Sequence, residues 1–206
     1  AAALYGPCSV RALVGDRVAT TVTMTTQYPF DELIDLIITP ERAVAFPLSL
    51  RIPAWCTAAT ISVAGQPFAA TPDASGFVRI ARTWQTGDRV QLRLPMAPRL
   101  EAGRETEGSP FACVVAGPLL FALPIAEQDE NSASSNDWKY ALDTTPADLP
   151  ATVTRRAMPT SWTWPAESPV TIAVPVQAIT WTPANTHAGA LPPAPVSGSE
   201  AKTKTL

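Results

Sequence analysis

The sequence of 206 residues contains 22 prolines, 10 glycines and one histidine, and its formal net charge is −3. A chain of this length can bury a substantial core, either as one large β domain or as two sandwiches of about 100 residues each. The excess of proline disfavours long helices and favours many short strands. The acidic balance offers no basic surface to nucleic acid or to an anionic membrane, so neither partner is expected.

The chain opens at Ala1 to Leu4 without an initiator methionine, a basic n-region or an apolar h-region. No signal peptide is therefore visible. We expect the sequence to be an excised piece of a longer polypeptide, and we leave its location, cytoplasmic or exported, open.

Two strands are predicted near the start, at Asp16–Thr26 and Leu33–Thr39, on either side of Tyr28-Pro29-Phe30. Both alternate side chains with the period of two that half-buried strands show. Thr, Val and Ile also favour strands over helices. The predicted core faces consist of Val18, Thr20, Val22 and Met24 in the first strand and of Ile34, Leu36 and Ile38 in the second.

The stretch from Phe46 to Leu100 organises the rest of the chain. Its two anchors, Leu48–Trp55 and Val90–Leu100, both alternate apolar and polar residues and are both cut by a proline, which cannot donate to a ladder. Two further candidate strands, Thr60–Val63 and Phe77–Ala81, lie between them. We predict one antiparallel unit whose apolar face is covered by another sheet.

A domain boundary is predicted after Leu100, where Glu101–Pro110 turns polar and charged. The predicted domains are therefore 1–100 and 101–206, and the fold class is all-β, with two consecutive antiparallel, jelly-roll-like β-sandwiches. Residues 187–206 form a Pro/Ala-rich tail, expected to be extended or disordered. Strands of the second domain are expected around Gly117-Pro118 and at Trp138–Leu142, Ala151–Arg156 and Val170–Val176.

Metal and thiol chemistry finds little support. Cys8, Cys56 and Cys113 are odd in number and far apart, which fits neither a disulfide framework nor a CxxC site. We interpret them as small apolar thiols, although one pair could be bridged in an exported protein. His187 lies in the tail, so no clustered zinc ligands and no nucleophile–histidine pair are predicted, and no site residue is assigned as catalytic or metal-binding.

Carboxylates are the next candidates, because glycoside hydrolysis needs two of them flanking a cleft. None of those in the sequence has a partner implied by spacing, and we interpret them as turn or loop charges. They are Asp31, Glu32 and Asp35 after the first predicted strand, and Glu101, Glu105 and Glu107 in the predicted linker.

Tryptophans could bind sugar, because aromatic rings stack on the apolar faces of sugar rings. Trp162 and Trp164 would share one face of an extended segment, and Trp181 follows. The competing interpretation is burial in a core or interface. Trp55 and Trp84 lie just past strand ends, where burial is favoured more strongly.

A set of motifs in fixed order resembles the region that follows the catalytic barrel in glycoside hydrolase family 127, the β-L-arabinofuranosidase-like enzymes. The resemblance covers essentially the whole chain. One departure is Ala64, where that family often has Asn before the hairpin glycine. The motifs are Leu4-Tyr5-Gly6-Pro7, Tyr28-Pro29-Phe30, Leu50-Arg51-Ile52-Pro53-Ala54-Trp55, Val63-Ala64-Gly65-Gln66-Pro67, Trp84-Gln85-Thr86-Gly87-Asp88-Arg89-Val90, Leu94-Pro95-Met96, Ala116-Gly117-Pro118-Leu119-Leu120-Phe121-Ala122, Trp138-Lys139-Tyr140-Ala141-Leu142 and Pro192-Pro193-Ala194-Pro195.

The resemblance implies that catalysis is carried by an (α/α)6 barrel preceding this region, with a cysteine nucleophile, a glutamate and a cysteine-bound zinc. No motif of this chain matches those sites, so no cofactor is expected here. The resemblance also implies two β-sandwich domains after the barrel. The first hypothesis is thus a non-catalytic accessory region that packs on and stabilises the barrel of a bacterial retaining β-L-arabinofuranosidase-like enzyme of plant-type glycan breakdown.

Two alternatives come from other functional classes. One is a stand-alone carbohydrate-binding module that uses Trp162, Trp164 or Trp181 on arabinose-containing glycans. The other is a structural or adhesive sandwich, whose apolar patch would be covered by self-association.

Overall fold

The computed structural model describes residues 1–104, 110–124, 140–143, 149–158, 168–179 and 201–206. Within these ranges all regular elements are β-strands and every ladder is antiparallel, which confirms the all-β prediction. The strands are β1 (Cys8–Val14), β2 (Val18–Thr26), β3 (Leu33–Pro40), β4 (Val44–Arg51), β5 (Thr60–Val63), β6 (Gln66–Phe68), β7 (Phe77–Trp84), β8 (Asp88–Arg93), β9 (Pro98–Arg104), β10 (Pro110–Ala116), β11 (Leu119–Phe121), β12 (Tyr140–Leu142), β13 (Thr152–Arg155), β14 (Val170–Ala178) and β15 (Ala201–Thr205).

The chain divides into two compact units, Ala1–Ala97 and Pro98–Leu206. In the first unit six strands form a sheet in the order β1-β2-β3-β8-β5-β6, and β4 and β7 form a separate two-stranded sheet. The inward side chains of both sheets join in one hydrophobic core, so the smaller sheet covers part of the larger one.

The alternation predicted from the sequence sets this core. Ile34, Leu92 and Leu50 are fully buried, whereas Ile37, which points to the opposite face of β3, is 43% exposed. Because side chains alternate strictly along a strand, one residue of slippage would exchange these two faces and expose the core. The predicted faces of the first two strands and of both anchors are therefore confirmed.

The prediction that the strands from Phe46 to Leu100 form one antiparallel unit is wrong. The Leu48 anchor forms β4 and pairs with β7, while the Val90 anchor forms β8 and pairs with β3 and β5. The two anchors thus contribute to opposite sheets instead of one antiparallel unit. Alternation identifies which residues face a core but contains no information about which strand lies alongside.

The hairpin between β5 and β6 has two central residues, Ala64 and Gly65, with φ of 49° and 77°. Positive φ at both positions defines a type I′ turn, whose twist matches that of the flanking strands. Ala64 adopts this conformation at a cost, because a Cβ crowds the left-handed region.

In the second unit β9, β10 and β11 form one sheet, and β14 lies at the centre of another with β12, β13 and β15. β9 includes Glu101, so the prediction of a linker from this residue is wrong as far as Arg104. Gly103 of β9 lies under the ring of Phe111, since a Cβ there would come within 2.6 Å of Cζ. The aromatic ring occupies the space that the glycine leaves on this face.

β14 contains Pro175 in its interior, although a proline normally disqualifies a central strand. The Pro175 carbonyl accepts a hydrogen bond from Asp143 N–H at 3.1 Å. It lies in the gap along β14 between the residues that pair with β12 and those that pair with β13. Because Pro175 directs its backbone groups to this side, away from β15, the missing N–H removes no bond from the ladder between β14 and β15.

The end of the predicted tail forms β15, which pairs with β14 over Ala173–Gln177. Leu206 exchanges two backbone hydrogen bonds with Ile172, at 2.8 and 3.0 Å, and packs on the core of this unit. The expectation that the tail had little to bury is wrong for residues 201–206, because Leu206 contributes to the core. Residues 187–200 lie outside the described ranges.

Candidate contact surface

Glu32 is the most firmly held of the predicted carboxylates. Oε1 accepts a hydrogen bond from Met96 N–H at 3.0 Å, and Oε2 pairs with Arg93 Nη1 at 3.0 Å. The carbonyl of Glu32 also accepts from Leu94 N–H at 2.9 Å. These bonds fasten the segment after β8 to the start of β3, so this carboxylate has a structural task.

The other described carboxylates also make local contacts. Asp31 accepts from Glu32 N–H at 2.6 Å, and Asp35 on the outer face of β3 pairs with both Arg89 Nε and Nη2. This pairing holds the pKa of Arg89 above its ordinary value, first through the hydrogen bond and then through charge attraction. Glu101 pairs with Arg99 at 2.6 Å on the same strand.

Two grooves on the first unit have no carboxylate in their lining. Glu105 and Glu107 lie outside the described ranges. A groove of about 520 Å³ on the first unit is lined by Leu33, Ser62, Gln91 and Arg93 together with Thr60, Ile61, Gly65 and Pro67. Its lining contains neither a carboxylate nor an aromatic ring, so it lacks both the acid–base pair and the stacking platform that sugar hydrolysis uses.

Three groups with raised pKa values gather at one end of the first unit. Burial raises the pKa of the Tyr5 and Tyr28 hydroxyls and of the Cys56 thiol. Tyr5 donates to the Arg51 carbonyl at 2.6 Å and meets the Tyr28 ring edge-on, with centroids 5.9 Å apart. A thiol nucleophile needs a lowered pKa, so the shift at Cys56 is opposite to that of an activated cysteine.

The three cysteines are free, with Cys8 exposed, Cys56 buried and Cys113 half-buried. In the described part of the chain no three His, Cys, Asp or Glu side chains come together to hold a metal. The residues present there do not fit the cysteine-rich zinc site that the family resemblance implies for a barrel.

Among the tryptophans, Trp84 is fully buried and donates through Nε1 to the Phe46 carbonyl at 2.9 Å. Trp55 is partly buried and packs on the same core. Trp162, Trp164 and Trp181 lie outside the described residues, and their binding of sugar stays a prediction.

The surface that sequence reasoning missed is β1. It pairs with β2 along its whole length, with Val10 opposite Val22, yet six of its seven residues are exposed. Val10 is 55% exposed although it belongs to the row that continues inward through Val22 to the fully buried Ile38. We call Cys8, Val10 and Ala12, the exposed core-side residues of β1, the β1 inner face.

Further apolar side chains are exposed beside this strand. Leu13 is 58% exposed on the opposite face of β1, and Leu4 in the preceding segment is 84% exposed. Single exposed apolar residues are ordinary, but a set concentrated on an edge strand is typical of a surface that another element covers.

Within the described ranges the chain has no helix that is both long and apolar enough to span a bilayer.

Comparison with known proteins agrees with this architecture. Residues 1–96 match the family model of the β-L-arabinofuranosidase GH127 middle domain. None of the curated proteins compared with the chain matches it.

Three solved structures share the fold over 98% of this chain, each at 22% sequence identity. They are a GH127 β-L-arabinofuranosidase from Geobacillus stearothermophilus T6, a glycoside hydrolase and a GH127 β-arabinofuranosidase, with TM-scores of 0.67, 0.65 and 0.67. This chain covers 29%, 31% and 31% of theirs. The family resemblance is thereby confirmed, with residues 1–96 matching the middle domain of the GH127 family.

Proposed function

We propose that this chain is a non-catalytic accessory β region of a GH127-type glycoside hydrolase, and that it packs on and stabilises a catalytic barrel of the same polypeptide. The observation that carries the proposal is the share of each similar structure that this chain matches. The fold accounts for 98% of this chain but for only 29% to 31% of the similar structures. More than two thirds of such a polypeptide therefore lies outside the region described, and a middle domain is by its name flanked by other parts of the chain.

The chemistry of the described residues favours a non-catalytic, accessory role. Catalysis at a glycosidic bond requires an acid and a base or nucleophile placed on either side of the bond. Here Glu32 and Asp35 are engaged by Arg93 and Arg89 respectively. Burial raises the pKa of the Cys56 thiol, which is opposite to the shift that activates a cysteine nucleophile.

The exposed apolar residues supply the driving force for packing. Covering a half-exposed Val or Leu side chain contributes on the order of 1 kcal/mol. Leu13 and Leu4 together would thus contribute about 2 kcal/mol to an interface. This is enough to raise the stability of a marginally stable partner noticeably.

Two measurements test the proposal. The purified chain is incubated with an aryl β-L-arabinofuranoside, and sedimentation velocity is recorded on a mixture of the chain with the separately produced remainder of the polypeptide. We expect no hydrolysis by the chain alone and a one-to-one complex in the mixture. Turnover by the chain alone, or failure of the two parts to associate at about ten micromolar, would overturn the proposal.

The substrate of the whole enzyme is also a proposal. Two of the similar structures are named as β-arabinofuranosidases. We accordingly propose that the parent enzyme releases β-linked arabinofuranose from arabinose-containing glycans, with the bond-breaking groups, and any zinc, in the barrel.

A further inference from the structure

In the part of the chain that the structure describes, one edge of β4 has no strand along most of its length. Among the described residues β7 is the strand that pairs with β4, and Ala2 adds a single parallel bridge opposite Leu50. Ala2 N–H donates to Ser49 O at 2.8 Å, and Arg51 N–H donates to Ala2 O at 3.0 Å. In a strand the two backbone groups of each residue point to one side, and successive residues alternate.

The alternation shows which groups are directed to this edge. Ile52 N–H donates to Gly76 O at 2.8 Å on the β7 side, so even-numbered residues of β4 face β7. Ala45, Pro47 and Ser49 therefore direct their backbone groups to the other edge. Pro47 has no N–H to leave unpaired there, which is the usual place for a proline in a sheet.

The free edge is bounded at both ends. At one end Ala2 occupies Ser49 O and Arg51 N–H. At the other end Gly15, in the turn after β1, lies so close that a Cβ on it would be 2.7 Å from Ala45 O. The window between Ala45 and Ser49 spans four residues of strand, or about 13 Å.

The β1 inner face lies beside this window. The segment from Ala2 to Gly15 touches both ends of the β4 edge, so β1, which lies between them, runs past it in the larger sheet. Val22 is half-buried and Ile38 is fully buried in the row that ends at Val10, which is 55% exposed. The smaller sheet of β4 and β7 covers the inner end of this row, and its covering ends at the free edge of β4, before it reaches Val10.

We propose that a segment leading into Ala1 in the longer polypeptide continues the parallel pairing of Ala2 as a third strand of the β4-β7 sheet and covers the β1 inner face. This inference rests on the proposed function, because it requires the longer polypeptide. The strand donates an N–H to Pro47 O and accepts from Ser49 N–H, as Ala2 does one step further along.

The register fixes which side chains point inward. Ala2 is opposite the buried Leu50 and itself packs against the core. The residue two positions before Ala2 is then opposite Leu48, and its side chain points toward the β1 inner face. The residue four positions before Ala2 is opposite Phe46, where the Gly15 turn closes the window. We expect the first of these positions to be apolar and the added strand to end within about four residues.

A second copy of the chain is a poorer occupant. Arg11 is the central residue of β1 and is paired with Glu41 at 2.8 Å. Antiparallel pairing of two β1 edges about their centre would place the two Arg11 side chains opposite each other, and like charges in that position destabilise a sheet. The window, closed at both ends, also fits a short strand better than a folded surface.

Amide hydrogen exchange on two proteins tests the inference: residues 1–206 alone, and the same residues extended by those encoded before Ala1. We expect the Ser49 amide to exchange at least about tenfold more slowly in the extended protein, while the Arg51 amide, already bonded to Ala2, changes little. Equal Ser49 exchange in the two proteins would overturn the inference.

A matched pair of variants provides a second readout. Val10→Asp lies on the β1 inner face and Ile37→Asp on the outer face, where Ile37 is 43% exposed. We expect Val10→Asp to lower the melting temperature of the extended protein more than that of residues 1–206 alone, and Ile37→Asp to lower both by the same amount. Slower exchange elsewhere on the first unit, without these effects, would refute the added strand and leave the accessory role standing. If the chain forms the one-to-one complex with the rest of the polypeptide but amide exchange near β4 does not slow, the added strand is likewise refuted and the accessory role stands.

Discussion

Replacing Glu32 separates a structural carboxylate from a catalytic one. Its Oε1 accepts from Met96 N–H at 3.0 Å, and Met96 is only 5% exposed, so water cannot readily take the place of the carboxylate. Leaving such a buried N–H without a partner costs about 1–3 kcal/mol. The Arg93 partner is 56% exposed, so this ion pair adds less than about 1 kcal/mol. Glu32→Ala should thus lower the free energy of unfolding by about 2–3 kcal/mol.

Urea unfolding at pH 7, followed by far-UV circular dichroism, measures this loss. Glu32→Gln keeps an oxygen for Met96 N–H and should lose about 1 kcal/mol, and Arg93→Ala should lose less than that. A catalytic carboxylate commonly sits in a strained site, and its removal leaves stability unchanged or raised. A stability of Glu32→Ala within about 0.5 kcal/mol of the wild type would refute the structural role.

Three further predictions concern single side chains. Hydrogen bonds from the Ser75 hydroxyl and from backbone N–H groups hold the pKa of Asp73 below its ordinary value of 3.8. The stabilisation of the fold by ionised Asp73 is therefore present above pH 3.8 and is lost as pH falls through the lowered pKa. The melting temperatures of wild type and Asp73→Ala should differ at pH 7 and converge in strong acid. Ala64→Asn should raise the free energy of unfolding by about 0.5–1 kcal/mol, because Asn tolerates positive φ better than Ala, and an unchanged urea midpoint would contradict the turn assignment. Iodoacetamide should label Cys8 readily at pH 7.5 and Cys56 only in denaturant, since burial raises the pKa of the Cys56 thiol; mass spectrometry that finds both labelled equally would contradict this.

The sequence was sufficient where a strand is buried on one face. β3 and β8 alternate because one side packs in the core, and their inward residues Leu36 and Val90 could be named from period two alone. The Gly65 hairpin was also predictable, since glycine after a short strand marks a tight turn.

The sequence was insufficient where burial is incomplete or pairing is distant. β1 was missed although its inner residues alternate with Ser9 and Arg11, because Leu13 interrupts the polar face of this short strand. β15 was missed because Ala, Lys and Thr form the strand, and it is held by pairing to β14 about 30 residues away in sequence. The division of β4 and β8 between two sheets is likewise a long-range property.

The candidate surface depended on these same features. Carboxylates and tryptophans draw attention in a sequence because of their chemistry, yet Glu32 and Trp84 serve packing and hydrogen bonding here. An exposed Val10 is conspicuous only once its row is seen to begin in the core. Contact surfaces made of ordinary aliphatic residues therefore need the fold before they can be recognised.

The most direct test of the accessory role is the thermal unfolding of the parent polypeptide with and without residues 1–206, followed by calorimetry. The catalytic part should unfold at a temperature a few degrees lower when this region is removed, because contacts worth about 2 kcal/mol with this region are lost. An unchanged unfolding temperature, with full activity retained, would contradict the claim that this region supports the barrel.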